Sequence, residues 1–240
     1  TGFYLGQFNG ANVVATNHHV CPTAKDCVGQ KIEFRLLHRL YKITKVYQSL
    51  ANVDLALLEI DVPSADAAAL KKFGKMFSVR KNTYRGEPLL TIGFGVGGNP
   101  QNYMMGTDDS DCKVFSGNGE YRHLADPDKY NPVSYRAWSF AHGCDISHGD
   151  SGSAMVDRNT GDIVGILWTG QIPKHKKYQK SANLDLLLKN PTNDVWTELN
   201  YAVTATKIGE YLYQQVQDNS VLSGTIKSIY LKMLDAGSRE

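Results

Sequence analysis

The chain has 240 residues, 42% of them hydrophobic and 21% charged, with a formal net charge of +2. That balance excludes a mostly disordered polypeptide, and so small a net charge leaves no broad electrostatic footprint for nucleic acid. No apolar run comes near the ~18 residues that a membrane-spanning helix needs, while the length suffices for one large core or two small ones.

The chain opens on Thr1 with no signal-peptide pattern, and is expected to be processed or trimmed, with any export signal outside it. Residues 1–20, TGFYLGQFNGANVVATNHHV, read as two strands around an Asn9–Gly10 hairpin signal. KIEFRLL, YKITKVYQSL and VDLALLEIDV follow, rich in β-branched and aromatic residues. After a polar stretch near residues 62–86 come PLLTIGF, CKVFSG, VSYRAWSF and SAMVDRNTGDIVGILWTG, the last a hairpin turning at Asn159–Thr160–Gly161. The basic run Lys174–His175–Lys176–Lys177 lies in a polar stretch and reads as a solvated loop.

Beyond about residue 194 the period changes. VWTELNYAVTATKIGEYLYQQV sets Leu199, Ala202, Val203, Ile208, Tyr211 and Leu212 near one face of a predicted helix. A second helix is expected after Asp218–Asn219–Ser220, with Val221, Leu222, Ile226, Ile229, Tyr230 and Leu234 apolar. Its apolar face must be buried on the chain's own body or on a partner or second copy. Short strands followed by terminal helices give an all-β body with a helical tail.

The four cysteines, Cys21, Cys27, Cys112 and Cys144, form no Cys-x-x-Cys pair, and no histidine pair has zinc-finger spacing. No metal or cofactor is therefore called for. Two disulfides in an exported protein, secreted or periplasmic, is the more natural reading, against free buried thiols in a cytosolic one. Three connectivities are possible; Cys21–Cys27, which closes a short loop, with Cys112–Cys144 is the pairing preferred.

Chemistry concentrates in HGCDISHGDSGSAMVD, where Ser151 stands between Gly149–Asp150 and Gly152 ahead of an apolar run. A serine hydroxyl is a poor nucleophile alone. It needs a base, a carboxylate to hold that base, and donors for a developing oxyanion. The base candidate is His19 in VVATNHHVC, preferred over His18 because it directly precedes apolar Val20. The carboxylate candidate is Asp54, which enters the apolar run Leu55–Leu58 and so needs a hydrogen-bond partner when buried. Asp61, the rival, follows that run and is expected to be exposed. Two other patterns carry less. GFGVGG (Gly93, Gly95, Gly98) fits a dinucleotide fingerprint, but Asn99–Pro100 blocks the helix such a site needs. TDDSDCK lacks the glycine and terminal glutamate of an EF-hand and reads as a solvated acidic loop.

TNHHV, VDLALLEI and GDSGSAMV, in that order, resemble the trypsin-like (chymotrypsin-fold) serine peptidases over roughly residues 1–185. The nearer likeness is to bacterial members such as glutamyl endopeptidases and the high-temperature-requirement proteases. The resemblance implies an all-β chain of two antiparallel six-stranded-type barrels with C-terminal helices. Residues 1–85 would carry the histidine and aspartate, 86–190 the serine and oxyanion hole, and 191–240 a helical extension. It implies Ser151 as nucleophile, His19 as base then acid, Asp54 as its orienter, and the N–H groups of Gly149 and Ser151 as the oxyanion hole. The substrate would be a protein or peptide.

The likeness strains at the specificity site. Asp145 stands six residues before Ser151, where trypsins place the aspartate that pairs with Arg or Lys, yet the flanking cysteine is displaced to Cys144. Asp145 capping its own loop is the alternative. Glutamyl endopeptidases usually carry a histidine where this chain has Leu167, beside Trp168; His148 is the available substitute for that donor. Thr1 is not expected to reach Asp150, so the site is expected to be preformed without an N-terminal switch. The order histidine, aspartate, serine also excludes an α/β-hydrolase. A catalytically silent peptidase-like binding module is the rival reading.

Overall fold

The computed structural model describes residues 1–95, 104–125, 136–170, 199–218 and 224–236. The basic run at 174–177 and Gly98 of GFGVGG lie outside them. β1 (Phe3–Phe8) and β2 (Ala11–Thr16) form the expected hairpin, with both Asn9 and Gly10 at positive φ, 50° and 85°. That pair of angles is what a two-residue turn needs to match the twist of its strands. After the short α1 (Ala24–Cys27) come β3 (Lys31–Phe34), β4 (Arg39–Leu50) and β5 (Leu55–Ile60). They complete an antiparallel sheet in the order β1-β2-β5-β4-β3. The polar stretch beyond it contains α2 (Ser64–Lys71).

The second sheet is also antiparallel, in the order β7-β6-β10-β11-β12-β9-β8. Its strands are β6 (Leu89–Gly93), β7 (Met105–Thr107), β8 (Arg122–Ala125), β9 (Arg136–His142), β10 (Ala154–Asp157), β11 (Ile163–Thr169) and β12 (Asn200–Thr204). Among the described residues the strands thus divide five and seven between the two sheets.

β12 corrects the helix expected from residue 194. It pairs with β11 on one side and β9 on the other, and Tyr201 to Thr204 are all buried. A strand covered on both faces reads as one continuous apolar run, which periodicity cannot tell from a buried helix. Ala202 and Val203 are therefore sheet residues, and the helix, α3 (Ala205–Asp218), begins after them. The second sheet consequently reaches past residue 190, where the sequence reading starts the helical extension.

α3 buries Ile208 and Leu212, and α4 (Gly224–Ala236) buries Ile226, Ile229, Tyr230 and Met233 in the core that holds Leu5 and Phe8 of β1. Lys232 donates to the Gln7 carbonyl at 3.0 Å and lies over the Phe8 ring. The apolar face of the last helix is thus covered by the chain's own first hairpin.

At the far end of β10 a polar cluster is enclosed. Asp157 accepts from Lys81 Nζ, the Asn159 N–H and the Thr160 hydroxyl. Burial works against the ionised Asp157, yet these donors hold its pKa below the ordinary value. Glu87 beside it is fully buried, and one of its oxygens accepts the Tyr84 N–H at 3.0 Å. Burial first, then the nearby Asp157 charge, raises its pKa to about 7. The folded chain therefore holds the Glu87 proton more tightly than the unfolded chain, whose carboxyl titrates near 4.5. This contribution to stability is complete below about pH 4.5 and is lost as pH rises through about 7. Melting temperatures of wild type and Glu87→Gln across that range test it. The wild type is expected to lose a few degrees relative to the variant as pH rises, and parallel curves would contradict it.

Candidate active site

β2 delivers buried Thr16 and Asn17 and then the two histidines. β4 turns through residues 51–53 into Asp54, which sits at φ 39° immediately before β5. The antiparallel pairing of β2 with β5, Thr16 opposite Ala56, brings these two segments side by side. Asn17 Nδ2 donates to the Asp54 carbonyl at 2.9 Å. The His19 backbone N–H donates to Asp54 Oδ1 at 2.9 Å, and His19 Nδ1 lies 2.8 Å from Oδ2. Asp54 is 1% exposed, so its carboxylate is stable there because both oxygens are engaged by one residue. A carboxylate only accepts, so Nδ1 carries the proton and the neutral ring keeps its lone pair on Nε2.

His18 is held elsewhere. Its Nδ1 meets Ser49 Oγ at 2.8 Å, and that hydroxyl donates to the Cys21 carbonyl at 2.6 Å. Burial lowers the His18 pKa, against the opposing pull of Asp54. The buried carboxylate thus selects His19 rather than its neighbour.

Ser151 lies in a tight turn ahead of β10. Asp150 N–H donates to the Ser147 carbonyl, Ser153 N–H to the Asp150 carbonyl, and Gly152 N–H to the Leu167 carbonyl of β11. The Asp150 carboxylate accepts the Ser147 N–H at 2.9 Å. Gly149 and Gly152 hold φ of 99° and 90°, which a side chain disfavours. The N–H groups of Gly149 and Ser151 donate to no acceptor among the described residues. Ser151 Oγ points to the Trp168 carbonyl at 3.5 Å, and no hydrogen bond joins it to His19 in this conformer. The turn and the histidine segment are nonetheless neighbours: a Cβ added at Gly152 would fall 2.5 Å from Thr16 Oγ1, three residues before His19.

Thr1 reaches this turn without a hydrogen bond to the Asp150 carboxylate. Its nitrogen and its hydroxyl donate to the Gly149 carbonyl at 3.0 and 2.6 Å. The contact goes to that carbonyl, while the Asp150 carboxylate is bonded to Ser147. Gly93 and Gly95, read in the sequence only as part of a rejected fingerprint, make room for Asp150. A Cβ at either would lie 2.1 or 2.5 Å from its carboxylate oxygens.

The specificity candidates separate. Asp145 is exposed; partial burial and then the charges of Asp109 and Asp111 raise its pKa. Its carboxylate accepts no hydrogen bond among the described residues, so it does not cap its loop; its carbonyl accepts from Thr107. His148 is exposed at the rim of the turn. Leu167 and Trp168 do not line a surface pocket with their side chains, which are 1% and 2% exposed. β11 is covered on both faces, and the Trp168 indole donates to Ser139 inside the core. What these two residues present to the turn is backbone. Cys21 pairs with Cys27 just past His19, and Cys112 pairs with Cys144 beside Asp145. Among the described residues no group of three or more His, Cys, Asp or Glu could hold a metal ion.

Residues 1–166 match the family described as trypsin-like peptidase domain. Among solved structures, the Mycobacterium tuberculosis protease Rv3671c in an inactive form superposes with a TM-score of 0.55 at 18% identity. That likeness covers 92% of this chain and 82% of the other. The active form of Rv3671c gives 0.55 at 20% identity, covering 88% and 71%. The HtrA-type protease AlgW with a decapeptide gives 0.52 at 18%, covering 90% of this chain and 52% of that one. At these identities the likeness establishes a shared fold. No curated protein sequence is significantly similar to the chain.

Gly152→Ala tests the packing of the turn. The added methyl would meet the Thr1 carbonyl at 2.2 Å in a left-handed backbone. A loss of about 2 kcal/mol or more in urea unfolding is expected, and an unchanged midpoint would show that the turn can yield.

Proposed function

The chain belongs to the trypsin-like peptidase family, and on that premise we propose that it is a serine endopeptidase working through Ser151, His19 and Asp54. The observation that carries this reading is the two-point grip of buried Asp54 on His19, which keeps the Nε2 lone pair available as a base. In this reading the Ser151 hydroxyl exchanges the Trp168 carbonyl for that nitrogen as its acceptor. Hydrogen bonds of this kind are commonly loose before substrate arrives.

His19 Nε2 takes the hydroxyl proton while Ser151 Oγ bonds to the substrate carbonyl carbon. The carbonyl oxygen becomes an anion facing the Gly149 and Ser151 N–H groups, whose lack of other acceptors among the described residues supports their role as the oxyanion hole. Asp54 stabilises the imidazolium. The carbon–nitrogen bond then breaks as His19 returns the proton to the leaving amine, giving an acyl-enzyme. Water adds to the ester carbon, again with its proton passing through His19, and the acid leaves as Ser151 recovers its hydrogen.

For specificity, we take Asp145 as the determinant. An exposed carboxylate without a hydrogen-bond donor among the described residues, crowded by Asp109 and Asp111, is relieved by a cation, which favours Arg or Lys in the substrate. An extended peptide fits the likeness to AlgW, a protein described with a bound decapeptide. The two disulfides fit an oxidising compartment, secreted or periplasmic. No described helix is long and apolar enough to cross a membrane.

Three measurements test the reading. A fluorophosphonate is expected to modify Ser151 covalently, and Ser151→Ala to abolish both labelling and peptide cleavage. An unlabelled, well-folded wild type would make the chain a silent binding module. Asp54→Asn is expected to lower kcat by about 10⁴-fold, a size borrowed from the chymotrypsin-type triad; wild-type turnover in that variant would remove Asp54 from the mechanism. In a peptide-library profile, cleavage after Arg and Lys is expected to fall about tenfold or more in Asp145→Asn. A profile centred on glutamate would move the role to His148.

A further inference from the structure

Residue 1 lies beneath the Ser151 turn and touches both of its flanks. Its hydroxyl donates to the Gly149 carbonyl at 2.6 Å and accepts the Phe94 N–H, just past the end of β6, at 3.1 Å. Its carbonyl accepts the Thr16 hydroxyl at 2.7 Å and occupies the space that a Cβ on Gly152 would fill. One residue therefore joins three segments: the end of β6, the Ser151 turn, and the strand that leads into His19.

The Gly149–Asp150 peptide is consequently held at both ends. Its N–H, on Asp150, donates to the Ser147 carbonyl at 3.1 Å, and its C=O receives the Thr1 hydroxyl. Gly149 has no Cβ to bias its torsions, so nothing intrinsic to that residue prevents this peptide from rotating. The Gly149 and Ser151 N–H groups belong to the two peptides that flank this one, so a change in the Gly149 torsions re-aims one against the other. Resting on the serine-peptidase reading above, we infer that the Thr1 hydroxyl is a positioning residue of the oxyanion turn. It acts by fixing the Gly149 carbonyl, and it ties that turn to the His19 strand through Thr16. A hydroxyl has one hydrogen to donate and lone pairs to accept with, so only Thr or Ser at this position can donate to Gly149 and accept from Phe94 through so short a side chain.

Thr1→Val keeps the shape and removes both hydroxyl bonds, and Thr1→Ser restores them. In the full chain, the rate of Ser151 modification by a fluorophosphonate and the kcat and KM for one peptide substrate are measured, with melting temperature alongside. Thr1→Val is expected to lower the modification rate and kcat about tenfold. That is less than the loss of an oxyanion donor itself, because the Thr1 nitrogen still reaches Gly149. KM is expected to stay within about twofold, and Thr1→Ser to recover most of the rate. Wild-type reactivity in Thr1→Val would overturn the inference, as would a serine variant as slow as the valine one. If Thr1→Val does not fold, Thr1→Ala carries the same comparison. A wild type that fails to react with the fluorophosphonate refutes the peptidase reading itself, an outcome distinct from a reactive wild type with an equally reactive valine variant.

Discussion

A carboxylate buried to 1% exposure, with both oxygens given to a single residue, organises this molecule's chemistry. An unpaired charge in that position would cost several kcal/mol. Asp54 is tolerable because the His19 backbone and ring both donate to it, and because Asn17 fixes the Asp54 backbone from the same segment. The consequence is directional: one ring nitrogen is committed to the protein interior and the other is left basic. The first sheet brings the two segments of that arrangement together. β2 and β5 lie side by side, and the Cys21–Cys27 bond closes the chain just beyond the histidine.

The second sheet supplies a different constraint, built from backbone instead of charge. β10 and β11 anchor a turn whose glycines adopt left-handed angles, leaving two N–H groups without acceptors among the described residues, beside one hydroxyl. Such groups are costly when buried and uncompensated, and useful when a ligand oxygen completes them. Residue 1 joins the two constraints, since it touches the turn through its hydroxyl and the histidine strand through its carbonyl. Gly93, Gly95 and Gly152 earn their identity in this junction by absence of a side chain, for Asp150 and the Thr1 carbonyl occupy the space.

The legible part of this architecture is the part that depends on local chemistry. His19, Asp54 and Ser151 stand out because each needs distinctive neighbours: a strand before the histidine, an apolar run after the aspartate, paired glycines around the serine. The hairpin at Asn9–Gly10 is readable for the same reason. What the sequence conceals is set by distant packing. β12 looks helical because its two neighbours, β11 and β9, bury both of its faces. Leu167 and Trp168 look like pocket residues until β11 is seen to be enclosed. The role of Thr1 depends on a partner 148 residues away, with no local pattern to announce it.

The central claim is that Asp54 fixes the tautomer of His19, and nitrogen NMR of the imidazole tests it most directly. Above about pH 8, where an ordinary histidine is neutral, the account predicts a proton on Nδ1, shifted downfield by its bond to Asp54, and a bare Nε2. A neutral ring protonated on Nε2, or a spectrum unaltered by Asp54→Asn, would contradict it.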